Sequence, residues 1–230
     1  MWFWDPTMIV VVPALILSMY AQVKVNSTFN HYSKVLSARG MTGADAARYI
    51  LNKNGLYDIP VERVEGYLSD HYDPRTRVVR LSPAVYGSSS LAAMGVAAHE
   101  VGHAIQHDGG YLPLYIRNTV IPITQIGSYL SIPLVFLGII LGSKPFVEFG
   151  ILLFTVIVFF QLVTLPVEYN ASHRAVETLG SEGILSAQEL KGTRKVLNAA
   201  ALTYVAAAVM AVFQLLRLLL ISGAIGGNDD

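Results

Sequence analysis

Phe149-Gly-Ile-Leu-Leu-Phe-Thr-Val-Ile-Val-Phe-Phe-Gln-Leu-Val-Thr-Leu-Pro-Val167 holds no charge over nineteen residues, then runs straight into Glu168. An α-helix rises 1.5 Å per residue, so about 20 apolar residues cross the hydrocarbon of a bilayer. Three other windows are equally free of charge: residues 6–23, 118–143 and 196–216. Any one of them alone also reads as a helix buried in a soluble core. Four within 230 residues read as membrane spans. The expected fold is therefore mainly α and integral to a membrane. It has four transmembrane helices, with polar segments at 24–117 and 168–195.

The composition agrees. Hydrophobic residues make up 53% of the chain and charged ones 14%, against about 25% charged in soluble domains. A disordered chain is excluded. Sixteen Lys and Arg balance sixteen Asp and Glu, which leaves no positive field for nucleic acid. There is no cysteine, so a disulfide scaffold, a thiolate nucleophile and an iron-sulfur cluster are excluded as well. Any metal must be held by His, Asp or Glu.

Orientation follows from the cations. Residues 24–117 carry ten Lys and Arg and residues 168–195 carry four, against Lys144 and Arg217 on the other side. Cations collect on the cytoplasmic side, although less strictly in loops longer than about 60 residues. Both polar segments are expected in the cytoplasm and both chain ends outside. The first window reads as an uncleaved anchor: Asp5 precedes it where a signal peptide carries cations, and Trp2 and Trp4 suit an interface.

Segment 24–117 has the grammar of a soluble domain. Thr42-Gly-Ala-Asp45 resembles a capping box ahead of a short helix over 46–54, stopped by Gly55. Residues 67–72 and 76–81 read as two strands around an Asp73-Pro74 turn, a small β element. The second strand is expected to offer its edge to an extended substrate.

The chemistry lies in Leu91-Ala-Ala-Met-Gly-Val-Ala-Ala-His99-Glu100-Val-Gly-His103-Ala-Ile-Gln-His107. A helix turns about 100° per residue, so His99 and His103 fall about 40° apart on one face and can share one ion. Glu100 lies about 100° from His99, close enough to reach a water on the metal as a general base. Chance would produce H-E-x-x-H in such a chain with a probability of about half a per cent. A pair of helix histidines satisfied by carbonyls is the plainer alternative. Ala98, Gly102 and Ala104 argue against it, because they clear space around the imidazoles for another element.

A catalytic zinc needs three protein ligands and one open position. His107, one turn on, would sit about 12 Å along the axis from His99 and reads as a helix-end residue facing the dipole. Glu168 ends the third span on the side of His99, although a carboxylate there also reads as a simple interfacial marker. His31, His71 and His173 sit in polar settings and read as solvated surface.

His99-Glu100-x-x-His103 followed, across two spans, by Glu168-Tyr-x-Ala resembles the gluzincin metalloproteases, and the HtpX and CAAX prenyl protease family in particular. The whole chain more closely resembles the bacterial YugP-like family of membrane zinc metallopeptidases. The stretches that carry this are Leu68-Ser-Asp-His-Tyr-Asp-Pro-Arg75, Ala97 to His107, Pro166-Val-Glu-Tyr-Asn-Ala-Ser-His-Arg-Ala175 and Ala201-Leu-Thr-Tyr-Val-Ala206. The resemblance implies a zincin-like catalytic domain in the cytoplasm, on a multi-pass protein of the bacterial inner membrane. It implies one Zn2+ per chain bound by His99, His103 and Glu168, with Glu100 as the base. The wider gluzincin pattern places an acid four residues after the glutamate ligand, where this chain has Ser172. Asn170 and Ser172 are the candidates for a weaker hydrogen bond there. Tyr169, His173 and Arg174 are candidates for stabilising an oxyanion.

The function implied is hydrolysis of peptide bonds in membrane or membrane-proximal unfolded proteins. The partners are then a protein or peptide substrate and the lipid bilayer, and not nucleic acid. The competing class is a non-catalytic membrane scaffold or pseudoenzyme with a structural zinc. Glu100 separates the two, because a structural site has no use for a base beside its first ligand. A transporter would carry charged groups inside its spans. Apart from Arg217 near an end, those are absent.

Overall fold

The computed structural model describes residues 6–223. It is mainly helical, with seven α-helices and three short strands among the described residues. Two compact units divide the chain. The first draws its described residues from 6–22, 115–165 and 203–223, and the second from 23–114 and 166–202.

Among the described residues, three helices are long and apolar enough to cross a membrane: α5 (Leu112–Ile140), α6 (Lys144–Ser181) and α7 (Ala187–Ile221). Helices α6 and α7 contain the expected windows 149–167 and 196–216 and run beyond them, whereas α5 starts six residues before the window 118–143 and ends three residues short of its end. The first window is not among them, so three of the four expected spans are seen as such helices among the described residues. A 3-10 turn takes Pro6–Val10 and α1 spans Val12–Tyr32, so only twelve residues of that window are α-helical. Their outward side is still apolar, with Leu15, Ile16, Met19 and Tyr20 all exposed. Trp2 and Trp4 lie outside the described residues.

In the first unit, Val135, Phe154, Val158, Ala211 and Leu218 form a small core. Helices α5 and α6 approach closely through glycines: a Cβ on Gly150 would meet the Ser131 carbonyl oxygen at 2.7 Å. Small residues perform this service where no hydrophobic force drives helices together. Only 17% of the most apolar window of α6 is buried. Its outward Phe149, Leu152, Phe159 and Leu162 are a liability in water and suit a lipid surface.

The second unit has a soluble type of core, including Ile50, Leu51, Ile59, Val79, Leu81, Met94, Val101 and Leu179. Helix α2 (Gly43–Lys53) starts on the expected capping box. Thr42 Oγ1 accepts from the Asp45 N–H at 3.1 Å, and Asp45 Oδ2 accepts from the Thr42 N–H at 3.0 Å. The helix begins three residues before the expected start, because the box places its cap at Thr42. Gly55 follows in the left-handed region at φ +76°.

The expected strands are present but shorter. Strand β2 (His71–Asp73) pairs antiparallel with β3 (Val78–Leu81), with Tyr72 opposite Val79. Leu68 adopts a positive φ of 53°, so the chain before β2 is a turn instead of strand. A third strand, β1 (Val61–Arg63), adds parallel to β3 on its other side, giving the order β1-β3-β2. The expected free edge on the 76–81 strand is therefore overturned, since β3 is the central strand and is paired on both sides.

After a short turn of helix α3 (Pro83–Tyr86), α4 (Leu91–Asp108) starts at Ser90, whose Oγ accepts from the Ala93 N–H at 3.2 Å. Helix α4 is buried on most faces. Gly95 and Gly102 are what allow this. A Cβ at Gly95 would meet Thr193 Cγ2 of α7 at 2.8 Å, and one at Gly102 would meet the Ala171 carbonyl oxygen of α6 at 2.8 Å.

Candidate metal centre

Helix α4 supplies His99, Glu100 and His103, and the cytoplasm-expected end of α6 supplies Glu168. The i,i+4 spacing stacks the two imidazoles one turn apart, with ring centroids separated by 4.7 Å and planes at 83°. Because Gly102 has no side chain, α6 comes close enough for Glu168 to reach both rings. Glu168 Oε2 lies 3.1 Å from His99 Nε2 and 3.5 Å from His103 Nε2. One ligand atom from each residue falls within 4.8 Å of the others.

This donor set fits zinc. Two imidazole nitrogens and a carboxylate oxygen are ordinary zinc donors, with bonds of about 2.0 to 2.2 Å. Tetrahedral ligands at that distance stand about 3.3 Å apart, and the distances from Glu168 to the two rings bracket that value. Glu168 is only 3% exposed, whereas the His99 side chain keeps 13%, so the cluster is buried on the Glu168 side and partly open at His99.

Glu100 is buried beside the triad. Its Oε2 accepts from the backbone N–H of Tyr72 in β2 at 3.0 Å. Burial is the main cause that pushes its carboxyl up to about 7, opposed by His99 and helped by the Glu168 and Asp70 carboxylates. Asp70 holds the strand itself, accepting from the Ser82 N–H at 2.7 Å and the Ser82 hydroxyl at 3.0 Å. At the other end of β2, Asp73 accepts from the Arg75 N–H and the Thr76 hydroxyl. The stretch 68–75 therefore has a physical role: its two acids pin a strand whose central N–H holds Glu100.

Around the two rings, Ser172 Oγ lies 3.1 Å from His99 Nδ1 and Gln106 Oε1 lies 2.9 Å from His103 Nδ1. Ser172 thus stands beside a histidine ring at the position where the wider gluzincin pattern has an acid. Asn170 does not touch a ring but bonds Gln106. Gln106 was not singled out from the sequence; the available signal was its i,i+3 spacing from His103. Tyr72 was also missed as a partner of the site.

The remaining candidates scatter. Arg174 Nε donates to Asn170 Oδ1 at 2.9 Å, and His173 faces Glu177 at 3.7 Å on the exposed side of α6. Tyr169, half exposed, lines with His173, Ser172 and Arg194 a cavity of about 730 Å³. His107 pairs with the Tyr72 hydroxyl at 2.9 Å and stays out of the cluster, while His31 and His71 are exposed.

Comparison with known proteins gives a consistent picture. Residues 7–223 match the family described as "Putative neutral zinc metallopeptidase". The chain is 52% identical over 220 residues to the "Putative membrane protease YugP" of Bacillus subtilis (strain 168), covering 95% of this chain and 96% of that protein. No solved structure matches.

Proposed function

The chain belongs to the family described as "Putative neutral zinc metallopeptidase", and from that premise we propose that it is a membrane zinc metalloendopeptidase. It cleaves peptide bonds in membrane proteins or in unfolded segments close to the bilayer. One observation carries this reading: His99, His103 and Glu168 converge within 4.8 Å, with Glu100 beside the first of them.

One zinc per chain, held by those three residues, would polarise the scissile carbonyl and make a water acidic enough to attack it at neutral pH. Glu100 takes the proton from the attacking water and returns it to the leaving amine. The Tyr72 N–H keeps the Glu100 carboxylate aimed. In the metal-free protein, burial already raises the Glu100 carboxyl, the direction that suits a proton carrier. The scaffold reading has less support, because a structural zinc is normally closed by four protein donors and the cluster among the described residues has three.

We orient the protein in the bacterial cell membrane with both chain ends outside and the metal site facing the cytoplasm. Fourteen cations in residues 24–117 and 168–195, against two elsewhere, support that orientation. The exposed apolar side of α1 supports a fourth segment in the bilayer beside α5, α6 and α7.

The test is hydrolysis of casein by detergent-solubilised protein, native against Glu100→Gln, with zinc assayed in both. The amide keeps the size of the carboxyl but cannot take the proton. Activity should fall at least 10² to 10⁴-fold with zinc content unchanged. Equal activity in the two proteins would refute the assignment of the base.

A further inference from the structure

We propose that Gln106, held by Asn170 and Arg174, is a positioning residue that fixes the ring tautomer of His103 and so directs its Nε2 lone pair at the metal position. The proposal rests on the zinc reading of the triad.

Two groups in the chain of contacts have roles that cannot change, the Arg174 guanidinium and the Val167 carbonyl. Arg174 is a pure donor, and its Nε lies 2.9 Å from Asn170 Oδ1. The atom of Asn170 at that place must therefore be the oxygen. The same oxygen lies 2.9 Å from Gln106 Nε2, and the Val167 carbonyl oxygen lies 2.9 Å from it too. Two acceptors face that end of the Gln106 amide, so it must be the NH2 end. Turning the amide over would set an oxygen against two oxygens in a residue with no exposure at all. Gln106 Oε1 is thereby committed to the other side, 2.9 Å from His103 Nδ1. A carbonyl oxygen only accepts, so Nδ1 carries the hydrogen, and in the neutral ring Nε2 carries the lone pair.

That lone pair faces Glu168 Oε2 at 3.5 Å. Two electron-rich atoms at this separation repel unless a cation lies between them, so the relay prepares a place for positive charge. His99 differs. Its Nδ1 meets the Ser172 hydroxyl, which can turn to donate or accept, so Ser172 alone does not select a tautomer. The two histidines are thus held by partners of different stringency, and the stringent chain of contacts begins at Arg174, three contacts away from the ring.

A simpler account of Gln106 is a structural tie between α4 and α6 through the Val167 carbonyl. The two accounts part at Asn170. An aspartate there still accepts from both Arg174 and Gln106 and keeps the tautomer, whereas a leucine removes the acceptor.

The experiment measures zinc affinity by chelator competition, and unfolding temperature after metal removal, for the native full-length protein in detergent and for Gln106→Met, Asn170→Leu, Asn170→Asp and Arg174→Leu. Partners behind metal-bound histidines are worth roughly 10- to 100-fold in affinity. Gln106→Met and Asn170→Leu should lose that much, Arg174→Leu a few-fold, and Asn170→Asp less than about threefold. If Asn170→Leu fails to fold, Arg174→Leu against Asn170→Asp decides. Native-like zinc affinity in folded Gln106→Met, or equal losses in Asn170→Asp and Asn170→Leu, overturns the relay alone. A native protein that takes up no zinc overturns the metal reading, and the relay falls with it.

Discussion

The backbone N–H of Tyr72 donates to Oε2 of Glu100 at 3.0 Å, joining the outer strand of the small sheet to the acid beside the first histidine. Glu100 is a buried acid whose carboxyl is raised, and that has a measurable consequence for the metal-free protein.

Between the ordinary value of 4.5 and about 7, the folded protein keeps a proton on Glu100 that the unfolded chain has lost. Stability of the chelator-treated protein should therefore fall as pH rises through that window, by at most on the order of 3 kcal/mol. Glu100→Gln removes the titration and should flatten the slope. Thermal unfolding in detergent from pH 4.5 to 7.5 checks this; parallel profiles for the two proteins would refute it.

Ser172→Ala should weaken zinc binding by about tenfold, since His99 loses its Nδ1 partner. Ser172→Asp installs an acid that commits His99 to the Nδ1–H form and should bind zinc at least as tightly as the native protein. Chelator competition measures both, and a tighter Ser172→Ala would contradict the expectation.

Gly102→Ala puts a Cβ 2.8 Å from the Ala171 carbonyl, a backbone atom that cannot swing away. Overpacking of this kind costs about 1 to 3 kcal/mol, and here it also moves Glu168 off the two rings. A lower unfolding temperature together with weaker zinc binding is expected. The control is Gly87→Ala, where a Cβ meets nothing within 4 Å.

Single cysteines test the orientation cleanly in a chain that has none. Ser27→Cys and Gln188→Cys, both at exposed positions, should resist an impermeant maleimide in intact cells and label once the membrane is opened. Gln188 is preferable to Ser186, whose hydroxyl accepts from the Glu189 N–H at the start of α7. Ready labelling of both in intact cells would reverse the topology.

The parts of this molecule that could be read from sequence are the ones whose physics is local. An i,i+4 histidine pair, a capping box and an uncharged window each state their geometry within a few residues. The helix ends were less visible, because α6 and α7 continue past the apolar windows into polar residues that form helix equally well. Strand β1 is three residues long, too short to show a period, and exists only because β3 offers it an edge. Gln106 looked like one more polar residue near a helix end. Its meaning depends on Val167, Asn170 and Arg174, which are more than sixty residues away.

Gly102 also works as a register mark. Helix α4 advances 1.5 Å per residue, and only at Gly102 does it offer the Ala171 carbonyl a place without a side chain. Sliding α4 by one residue either way would drive Val101 or His103 against that carbonyl. The height at which the two histidines meet Glu168 is thus indexed by a notch in the helix, and the spacing of a chemical site is set by the absence of a single carbon atom.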